Sequence, residues 1–109
     1  MPRKLPAVSV APSPIDGVRL KIERGRLTFG DLEDIQELQE ALSAQGSPPL
    51  RKMRAVLVRF VVDKNGEYMT PDDANEAIRT ISFDKIGETF QQFARGVEQV
   101  ALPPANSNA

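Results

Sequence analysis

Leu50 to Val62, LRKMRAVLVRFVV, is the most apolar run of the chain, and the other elements are read around it. Leu50, Met53, Val56 or Leu57, and Phe60 or Val61 recur at steps of three and four. That spacing places them on one side of a helix, with Arg51, Arg54 and Arg59 toward the other. Val56, Val58, Val61 and Val62 are β-branched and argue instead for a buried strand. The run is long for a strand in a small domain, and Pro48-Pro49 makes a good helix start. Helix is therefore preferred, with Arg59 to Val62 the part most apt to leave it.

Two further stripes have the same period. Leu32, Ile35, Leu38 (or Gln39) and Leu42 continue to about Ala44, with Asp31, Glu33, Asp34, Glu37 and Glu40 as an acidic outer face. Thr28 is placed to cap this helix, Asp31 to answer it three residues on, and Leu27 with Leu32 to form a hydrophobic staple. Phe83, Ile86, Phe90, Phe93 or Ala94, Val97 and Val100 make the clearest amphipathic helix, with Ser82 as its candidate cap. Between these lies a shorter helix opened by Thr70-Pro71-Asp72-Asp73, with Ala74, Ala77, Ile78 and Ile81 as its apolar face.

Only Val18 to Glu23 alternates strictly between apolar and charged residues, the signature of a half-buried strand. It needs a partner, either Val8 to Val10 or another chain, and the pattern leaves that pairing open. Ile15-Asp16-Gly17 and Asn65-Gly66 read as turns. Gln45-Gly46-Ser47-Pro48-Pro49 is a short link that favours an antiparallel helix pair. The fold expected is mainly α: a small bundle of about four helices with a short extended or strand N-terminal element. Residues 1–14 are expected to be a flexible arm, 15–102 a single helical domain, and 103–109 a disordered tail.

Composition narrows the chemistry. The chain has 109 residues, enough for one core, and contains no cysteine and no histidine. Thiol chemistry, thiolate metal sites and the commonest general base are thereby removed. The net charge is −1, so no global field draws the protein to nucleic acid or membrane. No apolar run approaches the roughly 20 residues of a membrane span, and prolines interrupt the N-terminus where a signal peptide would need an apolar core. A cytoplasmic location is the expectation, and no cofactor is expected.

Charge is nonetheless segregated. Residues 29–49 carry a net −5 and residues 50–62 a net +4, which suggests an acidic helix beside a basic one. Asp63, Asn65 and Glu67 invite a calcium reading. Counted from Asp63, however, glycine falls at the wrong loop position and Ala74 stands where a bidentate glutamate belongs, so no metal site is expected. Arg51, Lys52, Arg54 and Arg59 are a modest footprint for a phosphate backbone, and no base-reading amide lies among them. No Gly-rich phosphate loop or serine elbow occurs, and no enzyme is expected.

The order of parts resembles the small tail assembly chaperones of long-tailed bacteriophages. The matching parts are the capped start Leu27-Thr28-Phe29-Gly30-Asp31-Leu32 with its acidic helix, the Pro-started Leu50 to Val62, and two C-terminal helices ending in Leu102-Pro103-Pro104-Ala105-Asn106. They span about residues 18 to 106. The resemblance implies a helical protein that coats the tape-measure protein before tail-tube polymerisation, in the host cytoplasm, by reversible burial of apolar helix against apolar groove. It carries over no individual site residue. The expected function is thus non-catalytic protein binding. Leu57, Phe60, Phe90, Phe93 and Val97 are the residues expected to matter, either as core beneath a binding face or as the face itself. The partner is an apolar helical segment of another protein, and self-association is left open. The alternatives are a structural subunit that inserts its N-terminal arm into a neighbour and a nucleic-acid-binding regulator.

Overall fold

The structure is a computed structural model that describes residues 8–44 and 49–101. The arm's residues 1–7, the link's residues 45–48, and residues 102–109 with the tail lie outside the described residues. The fold is mainly helical, as expected, with four α-helices and short paired strands. In chain order these are β1 (Ser9–Val10), β2 (Arg19–Leu20), β3 (Ile22–Glu23), α1 (Phe29–Ser43), α2 (Leu50–Leu57), β4 (Val61–Val62), α3 (Pro71–Arg79) and α4 (Ile86–Ala101). Three 3-10 turns, Arg24–Arg26, Val58–Phe60 and Phe83–Lys85, join them. No helix among the described residues is long and apolar enough to cross a membrane.

The alternating stretch Val18 to Glu23 does find its partner within the chain, and in fact it finds two. β2 pairs antiparallel with β4, Leu20 opposite Val61, while β3 pairs antiparallel with β1, Val10 opposite Ile22. Val18, Leu20 and Ile22 point into the core, and the charged residues between them point away, as period two requires. Lys21 sits at the handover: its amide donates to the Phe60 carbonyl at 2.9 Å, and its own carbonyl accepts from the Tyr68 hydroxyl at 2.9 Å. The turn before it is tight. Asp16 and Gly17 both have positive φ, 51° and 81°, and Ile15 and Val18 exchange backbone hydrogen bonds across them. That is the arrangement of a primed hairpin turn, for which Asp-Gly is a favoured pair.

The apolar run Leu50 to Val62 changes conformation partway. α2 holds to Leu57, a 3-10 turn follows, and Val61 and Val62 are strand. Departure from the helix at the end of the run was anticipated. Its cause is tertiary: β2 offers an edge, and Val61 and Val62 meet its backbone groups while burying both side chains.

α1 begins with the expected capping box. The Asp31 amide donates to Thr28 Oγ1 at 3.1 Å, and the Thr28 amide donates to Asp31 Oδ2 at 2.9 Å. Asp31 does not lie on the outer face, which corrects the expectation. It is 6% exposed and also accepts from Arg59, whose guanidinium donates in addition to the Arg26 carbonyl at 3.2 Å. Arg26 reciprocates by donating to the Arg59 carbonyl, and its guanidinium lies 3.9 Å from the centre of the Tyr68 ring. Leu32, expected in the buried stripe, is 40% exposed instead. Ile35 and Leu38 define the inward direction; Asp31 shares it, and Leu32 is turned about 100° further round. Lys52 meets Glu37 at 2.9 Å and Asp34 at 3.7 Å. Lys52 thus meets the middle of α1 and Arg59 its start, so α1 and the Leu50 to Phe60 segment run antiparallel.

α4 closes the core against β1 and β3. Phe90, Phe93 and Val100 are fully buried, and the Phe93 ring lies 5.1 Å from Phe60 and 6.2 Å from Phe90. Gly96 permits this close approach, since a Cβ there would stand 2.9 Å from Ile22 Cδ1. Phe83 does not continue the stripe. It is 80% exposed, because it lies in the 3-10 turn ahead of α4, whose tighter winding breaks the register. Nor does the Ser82 side chain cap; its amide donates instead to Asp16 Oδ2 at 2.7 Å. α3 starts as expected, with Thr70 accepting from the Asp73 amide and Pro71 in the first turn.

Asp31 therefore both caps α1 and anchors Arg59. Asp31→Ala removes the cap and strands a half-buried guanidinium, and should cost about 2–3 kcal/mol in denaturant unfolding, where Lys52→Ala at the solvated rim should change little. Tyr68 offers a spectroscopic check, being the only tyrosine. Burial, then the nearby Glu23 carboxylate, push its hydroxyl up from 10.0 to about 12. Because the folded value is the higher, this contribution to stability is intact below pH 10 and is lost as pH rises through about 12. Phenolate absorbance of the folded chain should appear near pH 12, and in denaturant near its ordinary value of 10.

Candidate protein-binding groove

Leu57, Phe60, Phe90, Phe93 and Val97 are all core residues, none more than 4% exposed. Of the two roles expected for them, the side chains take that of core. Leu57 still has a surface consequence, because it forms part of the floor of a groove between α2, α3 and the start of α4. Phe90 contributes to a separate depression between α1 and α4 whose rim is polar, with Gln39, Ser43, Gln91, Arg95 and Glu98.

The groove beside α2 has about 270 Å³ of free volume. Its origin is simple geometry. α2 spans eight residues and α3 nine, too short to cover the first turn of α4 from both sides. Met53, Leu57 and Ile81 form a closed floor, and Leu50, Ile78 and Ile86 form walls that still meet solvent. Leu50 is 48% exposed. Phe83, between the lining residues Ile81 and Ile86 in the chain, does not itself line the groove and is 80% exposed. Thr89 brings the floor's buried hydroxyl, which donates to the Lys85 carbonyl at 2.7 Å and so is satisfied internally. The rim is basic: Arg51 and Arg54 on α2 and Arg79 at the end of α3.

Several of the other charged groups singled out in the sequence have structural partners. Lys52 is held by Glu37 and Asp34, and Arg59 by Asp31, so two of the four basic residues of the Leu50 to Val62 run are engaged. Asp63 accepts from the amides of Asn65 and Glu67 at 2.8 and 3.1 Å and shapes the loop. Asp16 accepts from Ser82 and from Lys85 at 3.3 Å; the Ser82 bonds, and then Lys85, hold its carboxyl below the usual range. β1 is paired inside the chain with β3, so the Ser9–Val10 strand is already in use.

Comparison with family models, with curated proteins and with solved structures returns no match.

Sequence reasoning found parts of this groove without assembling it. Leu50, Met53, Ile78, Ile81 and Ile86 were each assigned to an apolar helix face, but Arg79 was not singled out. The missing signal was length: two short helices cannot cover the apolar side of a longer third. Substitutions should divide accordingly. Phe93→Ala empties a core position and should cost about 3–5 kcal/mol, whereas Leu50→Gln and Phe83→Ser should leave the thermal midpoint within a few degrees.

Proposed function

We propose that this chain is a non-catalytic protein-binding domain, and that the groove between α2, α3 and α4 receives an apolar helical segment of a second protein. The observation that carries the reading is the apolar surface gathered at one place, half-exposed Leu50 with Ile78 and Ile86 around a floor made by Met53, Leu57 and Ile81. Apolar side chains grouped in a groove between helices favour an amphipathic helix as occupant, which buries its own apolar side there. The reading is further supported by the carboxylates: Asp16, Asp31 and Asp63 are engaged in turns, caps and ion pairs that hold the backbone.

Its concrete form follows the family resemblance: a tail assembly chaperone that keeps apolar helices of a tape-measure protein in solution until they assemble. The mainly helical fold and the capped start at Thr28 agree with that form. Because Phe93 is fully buried, a Phe93→Asp variant would test folding and not binding. Leu50→Asp changes the groove wall at a half-exposed position. Co-expressed with a long, apolar, helix-rich partner such as a tape-measure fragment, the wild-type chain should raise the soluble fraction of that partner. Leu50→Asp, with its helical circular dichroism intact, should lose the effect; equal protection by both chains would contradict the groove as the holding surface.

A further inference from the structure

Three guanidiniums surround the groove, and the ten residues that line it include no carboxylate. Arg51 and Arg54 stand on one wall, three residues apart and hence on one side of α2; Arg79 belongs to α3. Among the described residues none of the three forms an ion pair, whereas Lys52, Arg59 and Lys85 all do. This basic rim is local, since the whole chain carries a net −1.

We propose that the groove selects an apolar helix flanked by acidic side chains. The inference rests on the protein-binding reading above and specifies its partner. A helix lying on the floor removes water from the surrounding guanidiniums. If its flanks are neutral, that desolvation is uncompensated; carboxylates at the flanks replace the lost water with charge-assisted hydrogen bonds, which arginine's fork accommodates in pairs. The α2 wall runs from Leu50 to Leu57, two helical turns or about 10 Å, so the occupant contributes apolar positions spaced i, i+3 or i+4, and i+7. The exposed carboxylates elsewhere sharpen the choice. The outer face of α1 presents Glu33, Glu37 and Glu40, and α3 begins with Asp72 and Asp73. An acidic partner is repelled from those surfaces and attracted to the arginine rim, which favours docking at the groove. A phosphate backbone also pairs with arginine, but it offers nothing to Met53, Ile78 and Ile81, so a protein helix fits the lining better.

The test uses the intact chain and three labelled helical peptides of about 20 residues, a length that holds helix in water. All share one Leu/Ala stripe; their flanks are glutamate, glutamine or lysine. A DNA duplex of matched charge is titrated in parallel. By fluorescence anisotropy the glutamate peptide should bind about tenfold tighter than the lysine peptide, and added salt should narrow the gap. Arg79→Glu alone should shrink the preference, and Arg51→Glu with Arg79→Glu should reverse it; both positions are exposed, so each variant is accepted only with unchanged circular dichroism. Equal binding of the three peptides overturns charge selection and leaves the groove reading standing. Failure of all three to bind overturns both. Tighter binding of the duplex than of any peptide overturns the helix as occupant and favours nucleic acid.

Discussion

The contact of Phe60 with Phe93 is what the rest of this fold is arranged to bury. Both rings are fully enclosed, their centres 5.1 Å apart, and the Phe90 ring lies 6.2 Å from that of Phe93. A buried side chain of this size contributes about 1.5–3 kcal/mol, and a tilted aromatic pair adds about 0.5–1.5 kcal/mol. In a chain of 109 residues without disulfide staples, this contact joins the middle of the chain to its last described helix. Phe60 lies in the 3-10 turn that follows α2, and Phe93 on α4, which packs against β1 and β3 where Gly96 gives it room.

The polar contacts follow from that demand. Turning the chain at Phe60 places Arg59 at the start of α1, where Asp31 is already capping the helix. The reciprocal bonds between Arg26 and Arg59 then tie the turn to the end of β3. These groups add specificity more than strength: they fix where the basic segment crosses the acidic helix. The same turn limits the length of α2. A helix cut off at Leu57 cannot shield the first turn of α4, and α3 is likewise too short. The groove is thus a by-product of the core's geometry, left apolar inside and arginine-lined outside.

Much of this was legible in the sequence wherever a local pattern has a local cause. Thr28 with Asp31, Thr70 with Pro71, the Asp16-Gly17 turn and the alternation of Val18 to Glu23 each carry their own explanation, and each formed as read. What was legible only in part, or not at all, has its cause outside the segment. Val61 and Val62 become strand because an edge from forty residues earlier is waiting for them. Asp31 turns inward because Arg59 arrives from elsewhere, and Leu32 is displaced from the buried face as a result. Phe83 fits the helical spacing by number, yet a 3-10 turn rotates it out. Of the two roles expected for them, Phe60, Phe90 and Phe93 take that of core, while the groove is built from residues of three separate segments. Periodicity within one helix carries no information about what covers it.

The five phenylalanines fall into two sets, and that division is the most direct thing to measure. Phe60, Phe90 and Phe93 hold the core, while Phe29 and Phe83 face solvent at 78% and 80% exposure. With selectively labelled phenylalanine, a soluble paramagnetic agent should broaden the ring resonances of Phe29 and Phe83 and spare the other three. Broadening of Phe93 or Phe60 comparable to that of Phe83 would mean that the aromatic stripe is itself the surface, and would contradict the account at its centre.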